Sequence, residues 1–254
     1  GFMKCTFTGD RKRLFDRLAV LILYETCMEN PRATVVHVAP RPISRWRPAP
    51  LNTVELAKRA SRFLRMDSQR TMEVSEELYN RGILSYPRTE TDFFKEGFEI
   101  LPLLQEQEGH SQWGAYATGL VQHNKFEWPK NGGHDDQAHP PIHPLKRMEA
   151  ADLKNDQERG VYELVTRHVL ACCSRDAHGS QTTITVEVGP PSQVEHFTAT
   201  GLMINDRNWL EVYRWERWTA TKVPTVQVGQ SFDPESLIMT EGHTESPQAI
   251  TESD

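Results

Sequence analysis

The 254-residue sequence predicts an α+β fold in which a helical block, roughly residues 51–177, is inserted between two β-containing flanks, residues 1–50 and 178–240. Three observations carry that expectation. Apolar residues recur at helical spacing through the middle of the chain, β-branched residues alternate near both ends, and closely spaced prolines mark the first junction. A hydrophobic share of 37% supports real cores in one large domain or two ordinary ones. The best apolar run, Leu18 to Tyr24, falls well short of the roughly 18 residues a membrane helix needs. Gly1-Phe2-Met3-Lys4 is followed by no apolar core with a small-residue cleavage site, so no secretory leader is read and the chain is expected inside the cell.

Phe2 to Thr8 alternates as a strand, and Leu14, Phe15, Leu18, Ala19 and Ile22 then recur at helical spacing until Asn30-Pro31. Thr34 to Val38 is β-branched and reads as the next strand. Pro40, Pro42, Pro48 and Pro50 follow too densely for a helix or a central strand, which makes this stretch a hinge or a domain boundary. Asn52 and Glu55 have the spacing of a capping box and open a helix carrying Lys58, Arg59, Arg62 and Arg65 in front of Ala57, Ala60 and Leu64. A second helix runs from Asp67-Ser68 to Gly82 with Met72, Ser75, Leu78 and Tyr79 on its packed side.

Between Glu106 and Lys130 the pattern is mixed, with a short helix expected around Trp113 to Val121 and a break at Asn131-Gly132-Gly133. Val161, Leu164, Val165, His168 and Val169 define another helix over Asn155 to Cys173. Thr183 to Val188 then alternates with period two, and Phe197, Leu202, Ile204, Leu210, Val212 and Tyr213 are expected in further short strands. Residues 241–254 read as an acidic linker.

Cys5, Cys27, Cys172 and Cys173 form no C-x-x-C pair, so neither a zinc finger nor a disulfide framework is indicated. The net charge of −6 is unevenly spread: Arg41 to Arg88 holds ten Lys and Arg against five acids, whereas Asp233 to Asp254 holds six acids and no Lys or Arg. The basic stretch is either a phosphate-binding face or a solvated face of ordinary i, i+4 pairs.

Ile83 to Thr91 reads I-L-S-Y-P-R-T-E-T. A phenol with a pKa of about 10 attacks an electrophile only where a base or cation assists it. Pro87 holds Tyr86 extended, and Arg88 supplies a permanent charge able to fork two phosphate oxygens. The C-terminal end of a helix dipole does not stabilise a phenolate, so the activating charge has to come from a residue such as Arg81 or Arg88. The other reading of Tyr86 is a packed aromatic with a bonded hydroxyl.

The stretch Gly82-Ile83-Leu84-Ser85-Tyr86-Pro87-Arg88-Thr89-Glu90-Thr91 resembles the active-site signature of type IA DNA topoisomerases. Asp136-Gln-Ala-His-Pro-Pro-Ile-His-Pro144 is similar to a segment of the topoisomerase III branch, in its eukaryotic form. Ser44-Arg-Trp-Arg-Pro48 with Thr53-Val-Glu-Leu56 is a third match in the same order, and the likeness runs from Arg13-Leu-Phe-Asp16 to Leu210-Glu-Val-Tyr213. The sequence departs from the family in the T-E-T-D-F that ends the tyrosine motif and in Leu145 after His143-Pro144.

The resemblance implies a helical domain bearing the active-site tyrosine, inserted into a β-rich hinge domain, the two forming the arch of a torus that opens for strand passage. It implies that Tyr86 attacks a phosphodiester of single-stranded DNA to give a 5′-phosphotyrosine and a free 3′-hydroxyl, serving relaxation or decatenation, with Arg88 stabilising the charge. Religation then needs no nucleotide, in keeping with the lack of a G-x-x-x-x-G-K-[ST] loop. His139 and His143 are expected to contact DNA near the break, and Arg45, Trp46, Arg47, Lys58, Arg59 and Arg62 to grip the strand. Trp46 is either a stacking platform for a base or a plug between domains.

Magnesium is expected from a Toprim domain, which needs a glutamate and a D-x-D pair; no D-x-D occurs in these residues, so the chain reads as a fragment, inactive alone. A RecQ-family helicase, an OB-fold protein, a nuclear location and a role in DNA repair and recombination are further implications. A non-catalytic single-strand-binding or gate module is the alternative. His134, Asp135, Asp136, His139 and His143 crowd together, but Pro140, Pro141 and Pro144 forbid the helix that would align two imidazoles on a metal, so no metal ligand is assigned. The His-hydrophobe-His pair of a relaxase is missing from the sequence.

Overall fold

A computed structural model describes residues 4–247, which divide into two compact units. One contains residues up to Ser44 with His178–Asp206 and Trp218–Pro247; the other contains Arg45–Ala177 with Arg207–Arg217.

The first unit is built on a five-stranded sheet in the order β1-β4-β3-β2-β5, where β1 is Thr8–Gly9, β2 Ala33–Arg45, β3 Ala177–Val188, β4 Glu195–Asp206 and β5 Ser231–Phe232. β3 and β4 form an antiparallel hairpin with Thr185 opposite Thr198 and Val188 opposite Glu195. The alternation read in Thr183–Val188 has its physical counterpart here, since Ile184, Val186 and Val188 point into a core with Cys27, Ala33 and Val35. Of the strand expected over Phe2–Thr8, Phe2 and Met3 lie outside the described residues, and the paired part is only Thr8–Gly9.

β2 corrects the reading of the proline stretch, because it continues through Pro40 and Pro42 to Arg45. β5 pairs only with Ala33 and Thr34, so most of β2 has a ladder on one side alone, and a missing N–H on the open side breaks nothing. The helix α1 spans Arg17–Glu29 and starts at Asp16, whose carboxylate accepts from the N–H groups of Leu18 and Ala19. Its expected apolar face meets the core only at Cys27, while Phe15, Leu18 and Ile22 stay exposed.

The second unit holds α2 (Thr53–Leu64), α3 (Ser68–Asn80), α4 (Ile100–Glu106), α5 (Gly114–Gln122) and α6 (Asp156–Cys172). Side-chain caps start three of them: Asn52 accepts from Glu55 N–H, Asp67 from Arg70 N–H and Asn155 from Glu158 N–H. α6 is the central post, with an unbroken buried run from Leu164 to Cys172, packed by α2 and α3. Each such leucine or valine, fully buried, contributes about 1.5–3 kcal/mol. α4 was not read from the sequence because Pro102 interrupts the pattern, yet that proline falls in the first turn, where no intrahelical N–H bond is lost.

Residues 207–217 also differ from expectation. They form a 3-10 turn over Asn208–Glu211 and not a strand, and they pack in the helical unit. Tyr213 N–H donates to the Trp209 carbonyl at 3.2 Å, and both rings are buried, Tyr213 completely. Arg59 Nη1 donates to the Tyr213 hydroxyl at 2.9 Å. That hydroxyl lies 3.3 Å from His168 Nδ1, and His168 Nε2 is 2.8 Å from the Ala49 carbonyl. A carbonyl can only accept, so His168 carries its proton on Nε2 and accepts from Tyr213 at Nδ1. Burial beside Arg59 pushes the His168 pKa down to about 3.

Candidate functional site

α3 ends in a Schellman motif. Gly82 takes the left-handed φ of +64°, its N–H donates to the Tyr79 carbonyl at 2.8 Å, and Ile83 N–H donates to the Leu78 carbonyl at 3.0 Å. Ile83 and Leu78 are both buried, supplying the apolar contact that usually closes this cap. The chain therefore leaves α3 on a fixed path towards Tyr86.

That path is then stitched to the histidine segment. Ser85 N–H donates to the His143 carbonyl at 2.9 Å, His143 N–H donates to Ser85 Oγ at 2.9 Å, and Leu145 N–H donates to the Ile83 carbonyl at 2.8 Å. Leu84 pairs with Pro144, and Leu51 with Ile142, as antiparallel bridges. From the other side, Thr53 at the start of α2 holds the residues after the tyrosine: its N–H donates to the Thr89 carbonyl at 2.9 Å, and its hydroxyl accepts from Thr89 N–H at 2.8 Å. The two resembling motifs, about fifty residues apart in sequence, thus become one surface.

Tyr86 is half-buried at the centre of that surface. Its ring lies 4.7 Å from the His139 ring and 5.3 Å from the ring of Tyr79, edge to face with the latter. Among the described residues nothing hydrogen-bonds the Tyr86 hydroxyl, which distinguishes it from a packed core tyrosine such as Tyr162, whose hydroxyl donates to the Lys146 carbonyl at 2.8 Å. Tyr79, expected on the packed side of its helix, is instead 41% exposed and serves as one wall beside Tyr86.

Arg88 is exposed and turns back towards α3, where its Nε donates to Glu76 at 2.6 Å. The pair closes one end of an open cleft lined by Ser68, Gln69, Met72 and Glu73. The two η nitrogens make no further hydrogen bond among the described residues, so the fork is available to an incoming anion. Glu76 was not singled out from the sequence; its spacing of twelve residues from Arg88 has no local signature.

His139 is held from below by Asp136. The carboxylate accepts from the N–H groups of Ala138 and His139 at 2.9 and 2.8 Å, and from the hydroxyls of Thr89 and Thr91 at 2.9 and 3.0 Å. These donors, the two backbone N–H groups first, hold the Asp136 pKa far below the usual carboxylate range. Asp92 fixes the same loop one step upstream, taking His134 N–H at 2.8 Å and meeting His134 Nδ1 at 2.6 Å.

The remaining sequence candidates divide. His143, expected to touch DNA, is buried between Phe94 and Phe98, with Nδ1 2.7 Å from the Pro141 carbonyl, and burial lowers its pKa. It shapes the loop that carries His139 and offers no surface to a strand. Arg59 is enclosed by Tyr213 and Glu55. Arg45 is tied to Glu216 and the Arg217 carbonyl, each at 2.6 Å, and Arg47 to the Ser174 and Trp128 carbonyls. These three guanidiniums organise the unit. Trp46 is 69% exposed with Lys130 Nζ 4.1 Å from its ring centre, a cation-π pair. Arg62 is exposed over Phe63, and Lys58 is half-buried on the same helix.

Among the described residues, no three of His, Cys, Asp and Glu converge on a point where a metal ion could be held. The acids nearest the histidine segment are each engaged: Asp92 with His134, Asp135 with Lys95, Asp136 with the two threonines. Among the described residues these acids do not fit a magnesium site.

A tyrosine whose hydroxyl has no partner among the described residues, an imidazole against its ring and a guanidinium two residues on are groups that phosphoryl transfer can use. The sequence matches the family described as DNA topoisomerase over residues 3–254, and the chain belongs to that family, in its type IA, topoisomerase III branch. It is 43% identical over 248 residues to human DNA topoisomerase 3-alpha, a match covering 98% of this chain and 24% of the human protein. It is 41% identical to Saccharomyces cerevisiae DNA topoisomerase 3, over 98% of this chain and 40% of the yeast protein. Full-length topoisomerase I from Thermotoga maritima superposes with a TM-score of 0.66 at 17% identity, over 91% of this chain and 37% of that one. The chain therefore spans about a quarter to two-fifths of these curated relatives.

Proposed function

We propose that this chain supplies the nucleophile of a type IA topoisomerase reaction on single-stranded DNA. The Tyr86 oxygen attacks a backbone phosphorus, the bond to the 3′ oxygen of the preceding nucleotide breaks, and the phenolic proton is released as that oxygen becomes a free 3′-hydroxyl. The product is a 5′-phosphotyrosyl link, one phosphoester exchanged for another, so the reverse attack reseals the strand without a nucleotide. Negative charge builds on the non-bridging oxygens during attack, and we assign its stabilisation to the η nitrogens of Arg88. His139, against the tyrosine ring and partly exposed, is the second donor to that phosphate. The observation that carries the reading is the Tyr86–His139 ring contact of 4.7 Å beside a hydroxyl with no partner among the described residues.

The two units are proposed to act as a gate, the helical unit carrying the tyrosine and the sheet unit serving as hinge, so that a second strand passes during relaxation or decatenation. Magnesium is assigned to a Toprim domain elsewhere in the polypeptide, in keeping with the greater length of the relatives. A nuclear location, a part in DNA repair and recombination, and RecQ-helicase and OB-fold partners are proposed with it. Support for the nuclear location comes from the eukaryotic origin of relatives such as those of human and yeast. The test is adduct formation: with a Toprim-containing piece shown to associate with this chain, a labelled oligonucleotide and Mg²⁺, wild-type protein gives a covalent protein–DNA band and Tyr86→Phe gives none. Equal bands from both proteins would overturn the assignment.

A further inference from the structure

One carboxylate, Asp136, has no role in phosphoryl transfer, yet it links two stretches of chain: both the segment after Tyr86 and the loop that carries His139 are bonded to it. Thr89 Oγ1 donates to its Oδ2 at 2.9 Å, and Thr91 Oγ1 donates to its Oδ1 at 3.0 Å. Thr91 Oγ1 in turn accepts from Asp136 N–H at 3.0 Å, closing a ring of two bonds, while Thr89 Oγ1 accepts from Thr91 N–H at 3.1 Å. Both hydroxyls are buried, at 3% and 1% residue exposure, and Thr89 is also clamped to Thr53 at the start of α2. Its Oδ1 also closes a turn by taking the N–H groups of Ala138 and His139, a side-chain mimic of a backbone turn. Its Oδ2 also lies 3.4 Å from His139 Nδ1, a long contact that only a ring with a proton on Nδ1 can satisfy as a hydrogen bond.

We propose that Asp136 is the positioning residue of the cleavage centre. It locks the His139 ring against Tyr86 and, by taking the Nδ1 proton, leaves Nε2 as the nitrogen offered to the scissile phosphate. The inference rests on the topoisomerase reading for its catalytic half but not for its structural half. An acceptor on one ring nitrogen dictates what the other can do, which is how carboxylates orient working histidines elsewhere. A carboxylate tied by four donors cannot swing to follow another partner, so the ring orientation is set before DNA arrives. The threonine pair explains why the signature continues past Arg88: Thr89 and Thr91 deliver the Tyr86 segment and the His139 loop to the same two oxygens.

Two readouts test this. In the 254-residue chain, nitrogen-15 spectra of the histidine rings at about pH 8, where imidazoles are neutral, are expected to show His139 with its proton on Nδ1. Asp136→Asn keeps an oxygen for the backbone turn but removes the acceptor for the ring, so the proton is expected to move to Nε2; an identical tautomer in both proteins overturns the proposal. In the polypeptide extended to the relatives' length, Asp136→Asn is expected to slow single-turnover cleavage about 10- to 100-fold, the usual cost of losing a partner that orients a working histidine, with oligonucleotide affinity within about 2-fold of wild type. Adding Asp136→Asn to His139→Ala is expected to slow cleavage no further, because Asp136 acts through that ring. Full additivity of the two losses, or wild-type cleavage by Asp136→Asn, overturns it. If the extended wild type forms no adduct at all, the topoisomerase reading fails, and the tautomer measurement still decides the positioning.

Discussion

His168 offers the sharpest quantitative prediction about the scaffold under the site. Its ring accepts from Tyr213 and donates to the Ala49 carbonyl, just before α2 begins, and Arg59 sits on the other side of Tyr213. Protonation would remove the acceptor and place a second cation near Arg59 inside the fold. The folded pKa of about 3 against an unfolded value of about 6.5 fixes the sign. Between those two values the unfolded chain binds a proton that the folded chain refuses, so stability falls as the pH drops through that window and is unaffected by this group above it. At about 1.4 kcal/mol per pH unit, the loss at pH 5 is about 2 kcal/mol relative to pH 8. Burial also lowers the pKa of His110 and His143, so the total acid slope is steeper than His168 alone gives. The assay is urea unfolding of the 254-residue chain at pH 8 and pH 5, comparing wild type with His168→Gln, whose amide can still donate to Ala49. The wild type is expected to lose about 2 kcal/mol more than the variant across that interval. Equal losses in both proteins would refute the buried neutral relay.

Other perturbations bear on the site itself. Arg88→Ala is expected to slow cleavage about 10²- to 10³-fold, as deletion of an oxyanion donor does, in single-turnover assays of the extended polypeptide; near-normal cleavage would remove Arg88 from the reaction. Glu76→Gln breaks a half-exposed ion pair, so its effect on stability should stay within about 0.5 kcal/mol, while oligonucleotide affinity at low salt rises because a negative charge leaves the guanidinium; weaker binding in fluorescence anisotropy would instead make Glu76 an aiming group for Arg88. Gly132→Ala puts a methyl 2.3 Å from Asp92 Cγ, inside van der Waals contact, and is expected to cost about 1–3 kcal/mol as an overpacked site in thermal melts; an unchanged Tm would mean the His134 loop gives way freely.

Local chemistry made much of the fold legible. Asn52, Asp67 and Asn155 announced three helix starts because a capping side chain acts within three residues, and Gly82 announced the stop that aims Tyr86. The alternation of Thr183–Val188 was readable because one face of β3 is core. Long-range partners were not readable. Nothing in the sequence of Pro40 and Pro42 says that most of β2 lacks a partner on one side, and nothing local to Trp209 and Tyr213 says that they close the helical unit.

The same division holds in the site. Tyr86, Arg88, Asp136 and His139 all stand in contiguous motifs, but the partners of Arg88 and Asp136 do not: Glu76 lies twelve residues from Arg88, and Thr89 and Thr91 lie roughly forty-five from Asp136, so those bonds are visible only in the fold. The resemblance points to His143, Arg45, Arg47 and Arg59 as DNA contacts, but each is bonded to main-chain carbonyls or to a buried hydroxyl, as structural groups are. Residue type alone cannot separate the two cases, because both need hydrogen-bond donors on a positively charged or polarisable group.

In the proposed reaction one phenol, Tyr86, becomes the 5′-phosphate carrier of a broken strand. The direct measurement is protease digestion of the covalent complex formed on an oligonucleotide, followed by mass spectrometry of the nucleotide-bearing peptide and end-labelling of the released strand. The expected product is a peptide spanning Tyr86 linked through a 5′-phosphate, with a free 3′-hydroxyl on the released piece. A link through another residue, or a 3′-phosphate on Tyr86 with a free 5′-hydroxyl, would contradict it.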